Sequence, residues 1–510
     1  MSIGRLFRTV RHLKPTQIWF QVWRRLQKKF EPHPKCGSEE LPEFTFLNVT
    51  ARPKGWNDES LELLWRYNLH YFDYVNGRVE HVEKEWENGR VEVEKWRNLM
   101  ERWIAENPHG AFPGWEPYPT SLRIVNWVKW LSSNNSQLTT HDLQLIEFSL
   151  NAQSSWLMSH LEYHLLANHL LANAKALVFA GKYLVRRDLY EKGMSVYRRQ
   201  LPEQTCSDGV NFERSPMYHA IIFEDMLDLA EYTDEPLFKE YVARMAEGMM
   251  LLTGPDGKIA KFNDSTEGIA RQPTELLARA EKLVRVEVEK GGRKGVVVGS
   301  CSCRVGSCSC GKEDSVRSRT TTKDYDSNSG FLRQECGNYV LLAKCGEIGP
   351  SYQPGHAHAD TYSFELWKSG KKVVGDTGCS TYIPGDVRSY ERSTMAHNTV
   401  VIDAQNSSEV WSSHRVGRRF DRESHRREFT LSADGLKGVD SLGGNGEHRV
   451  EVRFHIPPGV PKNEVTIDCP GELRWEECEF AEGWNVRKKG FCAVYSSRLD
   501  FPAKIEWCIR

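Results

Sequence analysis

The feature that most constrains this chain is a change of hydrophobic period partway along it. Up to about residue 285, apolar residues recur at three- and four-residue spacing. SLRIVNWVKWLSS, EFSLNAQSSWLMSHLEYHLLANHLLANAKALVFAG and MYHAIIFEDMLDLAEYTDEPLFKEYVARMAEGMMLL show it most clearly, and that is the period of amphipathic helices. From Gly330 onward the apolar runs shorten to YVLLAK, DTYSFELWKSGKKVVGDTG, HNTVVID, RREFTLSA and RVEVRFHI. These are β-branched or aromatic and separated by turn residues, as strands are. Between them, residues 286–329 are rich in Gly, Ser, Arg, Thr and Asp, a linker or loop insert. The expected architecture is therefore α then β, with a helical domain over 1–285 and an antiparallel β-sandwich or barrel over 330–510. Gly181 and Gly254-Pro255-Asp256-Gly257 read as helix stops, and Ser369-Gly370 as a hairpin turn.

Composition narrows the class. A chain of 510 residues with 39% hydrophobic and 27% charged residues can build more than one core, which excludes disordered, collagen-like and coiled-coil chains. Lys plus Arg (68) balance Asp plus Glu (69), so no global field favours nucleic acid. No stretch reaches the roughly 18–20 apolar residues of a membrane span. The basic N-terminus, with Ile3, Leu6, Phe7, Val10, Ile18, Trp19, Val22, Trp23 and Leu26 mostly at helical spacing, lacks the continuous apolar core of a secretory signal. It reads as a helix docked on its own domain, with a membrane-surface helix as the alternative. The expected location is cytoplasmic, with periplasmic or membrane-peripheral as alternatives. The 13 cysteines are odd in number and scattered, against a disulfide framework. Cys301, Cys303, Cys308 and Cys310 cluster in CSCRVGSCSC, a spacing tighter than structural zinc sites use.

Three polar clusters interrupt the apolar patterns. In HLEYHLLANHLLANAKAL, read as one helix, His160, His164 and Asn168 share a face, and Asn168 and His169 sit side by side between leucine pairs, where both would be costly to bury unpartnered. In NFERSPMYHAIIFEDML, Ser215-Pro216 opens a helix and places Tyr218 and His219 near its N-terminus. The third cluster is YQPGHAHADTYSFEL with VVGDTGCSTY and RSYERSTMAHNTVVID. There His356, His358 and Asp360 point to one face if the segment is extended, or His356 is aimed separately from a turn after Pro354-Gly355, and Asp376 and His397 sit at strand edges. Two His and one Asp from different strands suit a metal triad with an open position, or catalysis.

In LWRYNLHYFDY, YPTSLRIVNWVKW, ANHLLANAKALVFAG, FERSPMYH, KFNDST, PGHAHADTYSFEL and RSYERSTMAHNTVVID running into SSEVWSSHRVGRR, the chain resembles the heparinase II/III family of polysaccharide lyases and their relatives in alginate degradation. The segments occur in the family's order over about residues 60–420. The resemblance implies an incomplete α/α toroid followed by an antiparallel β-sandwich, with the polysaccharide cleft between them. It also implies a carbon–oxygen lyase that breaks the bond at C4 of a uronic acid by β-elimination. By the resemblance, Asn168 donates to the uronate carboxylate with His169 beside it, Tyr218 is the acid and for some configurations the base, and His356 is the second acid/base or carboxylate partner. His358, Asp376 and His397 would hold a divalent cation, zinc being the expected ion, in a structural role. Arg123, Arg214, Arg388 and Arg392 are candidates to pair with uronate or sulfate groups, and Trp115 to face a sugar ring. The expected partner is a polysaccharide, with a homodimer as one assembly state. The chain is also similar to heparinase-like proteins encoded with surface-polysaccharide synthesis. Two rival functions remain: a glycoside hydrolase on the same scaffold using carboxylates such as Glu213, Glu224 or Asp264, and a non-catalytic polysaccharide-binding factor.

Overall fold

The structure is a computed structural model that describes residues 3–26, 40–77, 89–289, 329–417 and 424–510. The four clustered cysteines, and nearly all of the expected insert, lie outside the described residues. In chain order the helices are α1 (Ile3–Val10), α2 (Pro15–Leu26), α3 (Leu63–Tyr71), α4 (Gly89–Glu106), α5 (Pro117–Asn134), α6 (Thr140–Ser159), α7 (Ala167–Tyr183), α8 (Arg187–Gln204), α9 (Pro216–Thr233), α10 (Pro236–Leu251) and α11 (Pro273–Glu289), with the short α12 (Asp386–Glu391) among the later strands. The helical region is thus followed by antiparallel sheets, as the change of period predicts. By internal packing the chain forms two compact units: Lys14–Pro202 with Glu231–Asp234, and Met1–Leu13 with Glu203–Ala230 and Glu235–Arg510.

The first unit is built around α5, which packs on α3, α6 and α7. Pro117 and Pro119 occupy its first turn, where a missing N–H costs little. Beyond them Ile124, Val125, Trp127, Val128 and Leu131 are buried. Tryptophans dominate this core: Trp127 meets Trp103 edge-on at 5.6 Å between ring centroids, and Trp56, Trp65 and Trp103 are fully buried. A capping box at Thr139 and Asp142 starts α6. Two sequence expectations are corrected here. The stretch from His160 to Asn168 is not continuous helix, because α6 ends at Ser159 and α7 begins at Ala167. Leu166 and Ala167 take positive φ, 63° and 49°, so His160, His164 and Asn168 do not share a helix face. Gly181 is no stop either, for it lies inside α7. A Cβ there would come within 2.5 Å of the Tyr190 backbone nitrogen, so glycine lets α8 approach closely.

The second unit carries the strands. After the small β1 (Phe44–Phe46) and β2 (Val49–Ala51) hairpin of the first unit, β3 (Phe331–Cys336), β4 (Tyr339–Lys344), β5 (Phe364–Lys368) and β6 (Lys371–Val374) form a four-stranded antiparallel sheet in that order. Ser369 and Gly370 join β5 to β6 with φ of 51° and 78°, the left-handed pair that a tight hairpin requires. A larger sheet contains β7 (Val400–Ile402), β10 (His425–Ser432), β11 (Gly435–Ile456), β12 (Ile467–Asp468), β13 (Glu472–Gly483) and β14 (Val486–Ile509), and β8 (Val410–Trp411) pairs β9 (Arg415–Val416) apart from it. The two large sheets share one core, in which Leu341, Phe364, Leu366 and Val374 meet Val452, Phe454, Ile456, Ala493 and Trp507. Phe364 stacks on Trp507 at 5.5 Å. That sandwich is the rigid base for the histidine-rich loops.

Candidate active site

The polar cluster of the second unit is organised by KFNDST. Asn263 takes φ of 57° and is fully buried together with Asp264, Ser265 and Thr266. Non-glycine residues in this conformation persist only where their surroundings hold them. The Asn263 amide donates to the Arg214 and Ile348 carbonyls at 2.8 and 3.1 Å. Its Oδ1 accepts from Lys344 Nζ at 2.7 Å and from the His358 N–H at 3.0 Å. Asp264 then receives four groups on two oxygens: the two Arg388 guanidinium nitrogens, His356 Nδ1 at 2.9 Å and His358 Nε2 at 2.8 Å. Burial raises its carboxyl pKa, but Arg388 and the two histidines outweigh that and hold it well below the ordinary carboxylate range. Asp264 is an anion that fixes both imidazoles.

Tyr218 joins this cluster from α9. Arg214, at φ of 57°, turns the chain into the helix, and Ser215 ties the turn down by donating to the Asp264 carbonyl at 2.5 Å and accepting from the Tyr218 N–H at 3.3 Å. The Tyr218 ring stacks on His356 with centroids 3.8 Å apart. Its hydroxyl lies 3.0 Å from the hydroxyl of Tyr382. Burial and the nearby Asp264 charge raise the Tyr382 phenol well above its usual range, so it stays protonated and can donate to Tyr218. His356 Nε2 lies 3.5 Å from Glu213 Oε2, and His414 packs against His356 and Tyr382 at 5.7 and 4.7 Å. His219, next to Tyr218, faces the core. Its Nδ1 accepts from the Asn211 N–H at 3.1 Å, its Nε2 donates to the Met245 carbonyl at 3.0 Å, and burial pushes its pKa down to about 4.

In the first unit, Asn168 is buried in the first turn of α7, directly after the strained Leu166–Ala167 pair. His169 Nδ1 lies 3.2 Å from Glu162 Oε1, and its ring packs against Tyr118 at 4.6 Å. Glu162 also accepts from Asn173 at 3.1 Å. Although burial raises its pKa, His169 and Asn173 bring it below the usual value. Asn173 donates on to Ser121 at 3.0 Å. His160 is stacked on Trp156 at 4.1 Å, and His164 bonds Arg24 at 2.7 Å.

Several residues expected to contact substrate have structural roles instead. Arg123 is fully buried, donates to Gln153, to the His70 and Gly114 carbonyls and to Thr120, and lies over Trp103 at 3.8 Å. Arg392 donates to the carbonyls of Ala357, Trp411, Ser412 and Arg415. Trp115 is buried among Trp103, His109 and Trp156 and donates to the Asn107 carbonyl at 3.1 Å. In this structure Arg123, Arg392 and Trp115 are held by these packing and hydrogen-bond contacts, and Arg214 lies buried at the turn into α9. Truncating Arg123 to Ala should lower stability by about 3 kcal/mol or more, since each orphaned buried acceptor costs roughly 1–3 kcal/mol. The activity of the folded protein should be unchanged. Denaturant unfolding beside kcat/KM checks this, and lost activity at unchanged stability would return Arg123 to the substrate.

Two donor sets bear on a metal. Asp264, His356 and His414 offer ligand atoms within 4.8 Å of one another and could hold a metal, although the Arg388 guanidinium on both Asp264 oxygens puts a fixed positive charge beside that position. The set expected from sequence is arranged differently. His358 Nε2 faces Asp264, and His397 Nδ1 faces Asp376 Oδ2 at 2.9 Å. That leaves His358 Nδ1 and His397 Nε2 buried without hydrogen-bond partners, their rings 5.4 Å apart. Asp376 also accepts from Ser363 and from the Gly378 N–H, so here it orients His397. Among the described residues the group of three whose ligand atoms lie within 4.8 Å of one another is Asp264, His356 and His414, not this set.

A helical region followed by antiparallel sheets, with a phenol, an imidazole and a carboxylate gathered on the sheet-bearing unit, defines a class of two-part α-then-β proteins. Residues 51–282 match the Heparinase II/III N-terminus, and residues 323–425 match Heparinase II/III-like, C-terminal. The chain belongs to the heparinase II/III family. It is 24% identical over 528 residues to a heparin-sulfate lyase of Bacteroides thetaiotaomicron, covering 89% of this chain and 70% of that protein. Among solved structures it is similar to heparinase III, with TM-score 0.63, 17% identity and coverage of 86% and 76% of the two chains. It is also similar to the heparan sulfate lyase of Pedobacter heparinus, with TM-score 0.55, 19% identity and coverage of 89% and 78%.

Proposed function

We propose that this chain is a polysaccharide lyase that cleaves a uronic-acid-containing polysaccharide by β-elimination. The observation that carries the proposal is the Tyr218 ring stacked on His356, with His356 Nδ1 bonded to Asp264 and the Tyr218 and Tyr382 hydroxyls 3.0 Å apart. Elimination removes the C5 proton beside the uronate carboxylate, breaks the C4–O4 bond and delivers a proton to the departing O4. Tyr218 is the proton carrier at O4. For substrates whose C5 proton lies on its face, it serves as the base too: a hydrogen bond from Tyr382 would stabilise the phenolate that takes this proton, and the phenol so formed then passes it to O4. His356, aimed by Asp264, is the second acid/base or binds the carboxylate. For Asn168 and His169 the family resemblance carries a separate role, hydrogen bonding to the uronate carboxylate.

The family relationship and the lyase names of the similar proteins support this reading over hydrolysis. A hydrolase needs two opposed carboxyl groups at a set separation. Here Asp264 is locked by Arg388, and Glu224 accepts from Arg271 at 3.0 Å. The test is a panel of uronate polysaccharides (glycosaminoglycan, alginate and bacterial surface polymers) screened for an ultraviolet-absorbing unsaturated end. A saturated reducing end identifies a hydrolase, and binding without cleavage identifies a binding factor.

The family resemblance also carries a structural zinc ion at His358, Asp376 and His397; the support for it here is the buried, unpartnered His358 Nδ1 and His397 Nε2. Its chemistry there would be to cross-link the loops that follow β4 and β6 and precede β7. Equilibration with zinc is expected to raise the melting temperature, and chelation to lower it. His397→Ala should erase that difference; wild-type protein with no zinc-dependent shift would refute the site.

A further inference from the structure

We infer that α2 is an interfacial anchor that seats this protein on an anionic lipid surface. One face of the helix is fastened to its own unit. Gln17 is buried and accepts from the Lys14 N–H at 2.9 Å, Phe20 packs on Tyr163 at 4.9 Å, and Arg24 bonds His164 and Glu116 at 2.7 and 3.3 Å. Positions 17, 20 and 24 recur at helical spacing, so the opposite face is fixed outward. That face carries Ile18, Trp19, Val22 and Trp23, which are 44%, 65%, 50% and 48% exposed. Isolated exposed apolar residues are ordinary, but four at adjoining positions on one helix face, two of them tryptophan, form a contiguous patch that marks an interaction site.

Charge selects the occupant. From Lys14 to Lys29 the sequence holds five Lys or Arg and no Asp or Glu, in a chain whose net charge is −1. Arg25 is exposed beside the apolar stripe. A basic stretch with a tryptophan-bearing apolar face suits the headgroup boundary of an anionic bilayer, where indole rings settle and the cations meet lipid phosphates. A soluble polyanion would use the cations and leave the apolar stripe in water. A second protein copy would bring the same positive charge to the interface. Among the described residues no helix is long and apolar enough to cross a membrane, so the contact is peripheral. This inference is independent of the lyase proposal.

The test is co-sedimentation of the full chain with phosphatidylcholine vesicles, with and without phosphatidylglycerol, monitored also by tryptophan fluorescence. The expected result is binding to the anionic vesicles alone, weakened by salt, with a blue shift in emission. Trp19→Ser/Trp23→Ser should bind about tenfold or more weakly while keeping its melting temperature and its action on soluble polysaccharide. Absence of vesicle binding would overturn the inference. So would binding indifferent to the two substitutions, since that reflects charge alone, or a wild-type dimer that the substitutions dissociate without any vesicle binding.

Discussion

Tyr218→Phe should lower turnover of whichever polysaccharide the protein cleaves by roughly 10²–10⁴-fold, the range contributed by a positioned proton carrier. KM and thermal stability should stay near those of the wild type. The substitution keeps the ring that stacks on His356 at 3.8 Å and removes only the hydroxyl that meets Tyr382 at 3.0 Å. The hydrogen bond lost is worth about 0.5–1.5 kcal/mol. The discriminating readout is the split between kcat and KM: a role in chemistry lowers kcat, whereas a packing role would change stability or KM first. Retained turnover would remove Tyr218 from the reaction.

Asp264→Asn is expected to destabilise the sheet-bearing unit by about 3–5 kcal/mol, because it leaves the buried Arg388 guanidinium without its counter-charge. Arg388 is fully buried and its guanidinium also donates to the Ser413 carbonyl, so it cannot swing to water to recover solvation. The same substitution loosens His356 and His358, so activity should fall together with stability. Asp264 is depressed in the folded state. Its stabilisation is therefore present above the unfolded carboxyl pKa near 4 and lost as pH falls through the lower folded value. In Asp264→Asn the acid limb of the stability–pH curve should be shallower. Urea unfolding across acid pH measures both effects, and an unchanged midpoint would show that the Asp264–Arg388 pair does not hold the site.

The order of a helical region followed by antiparallel sheets could be read from the sequence because hydrophobic period is a local property. The strands YVLLAK, RREFTLSA and RVEVRFHI, and the Ser369-Gly370 hairpin, follow from it. The break between α6 and α7 could not be read, since helical spacing continues through residues 160–166 with no Gly or Pro, and the chain turns instead on a leucine and an alanine at positive φ. In the sequence Arg123 and Arg392 read as candidates for substrate because a guanidinium binds carboxylates in a two-pronged fashion. Their partners are mostly carbonyls, which leave no trace in residue type. In the sequence Asp264 stands out only as one of the possible hydrolase carboxylates, and Tyr382 does not stand out at all. Asp264 meets Arg388 across 124 residues of sequence and Tyr218 meets Tyr382 across 164, separations that no motif spacing reveals. A signal for Asp264 was present nonetheless, in the polar run Asn263-Asp264-Ser265-Thr266 that follows the apolar Phe262.

Cleavage in water enriched in heavy oxygen tests the central claim most directly. Elimination takes no oxygen from solvent, so the products should carry no heavy oxygen at the cleaved bond, and their summed mass should equal that of the intact chain. Heavy oxygen incorporated once per cleavage, with saturated ends, would contradict the lyase account and leave hydrolysis in its place.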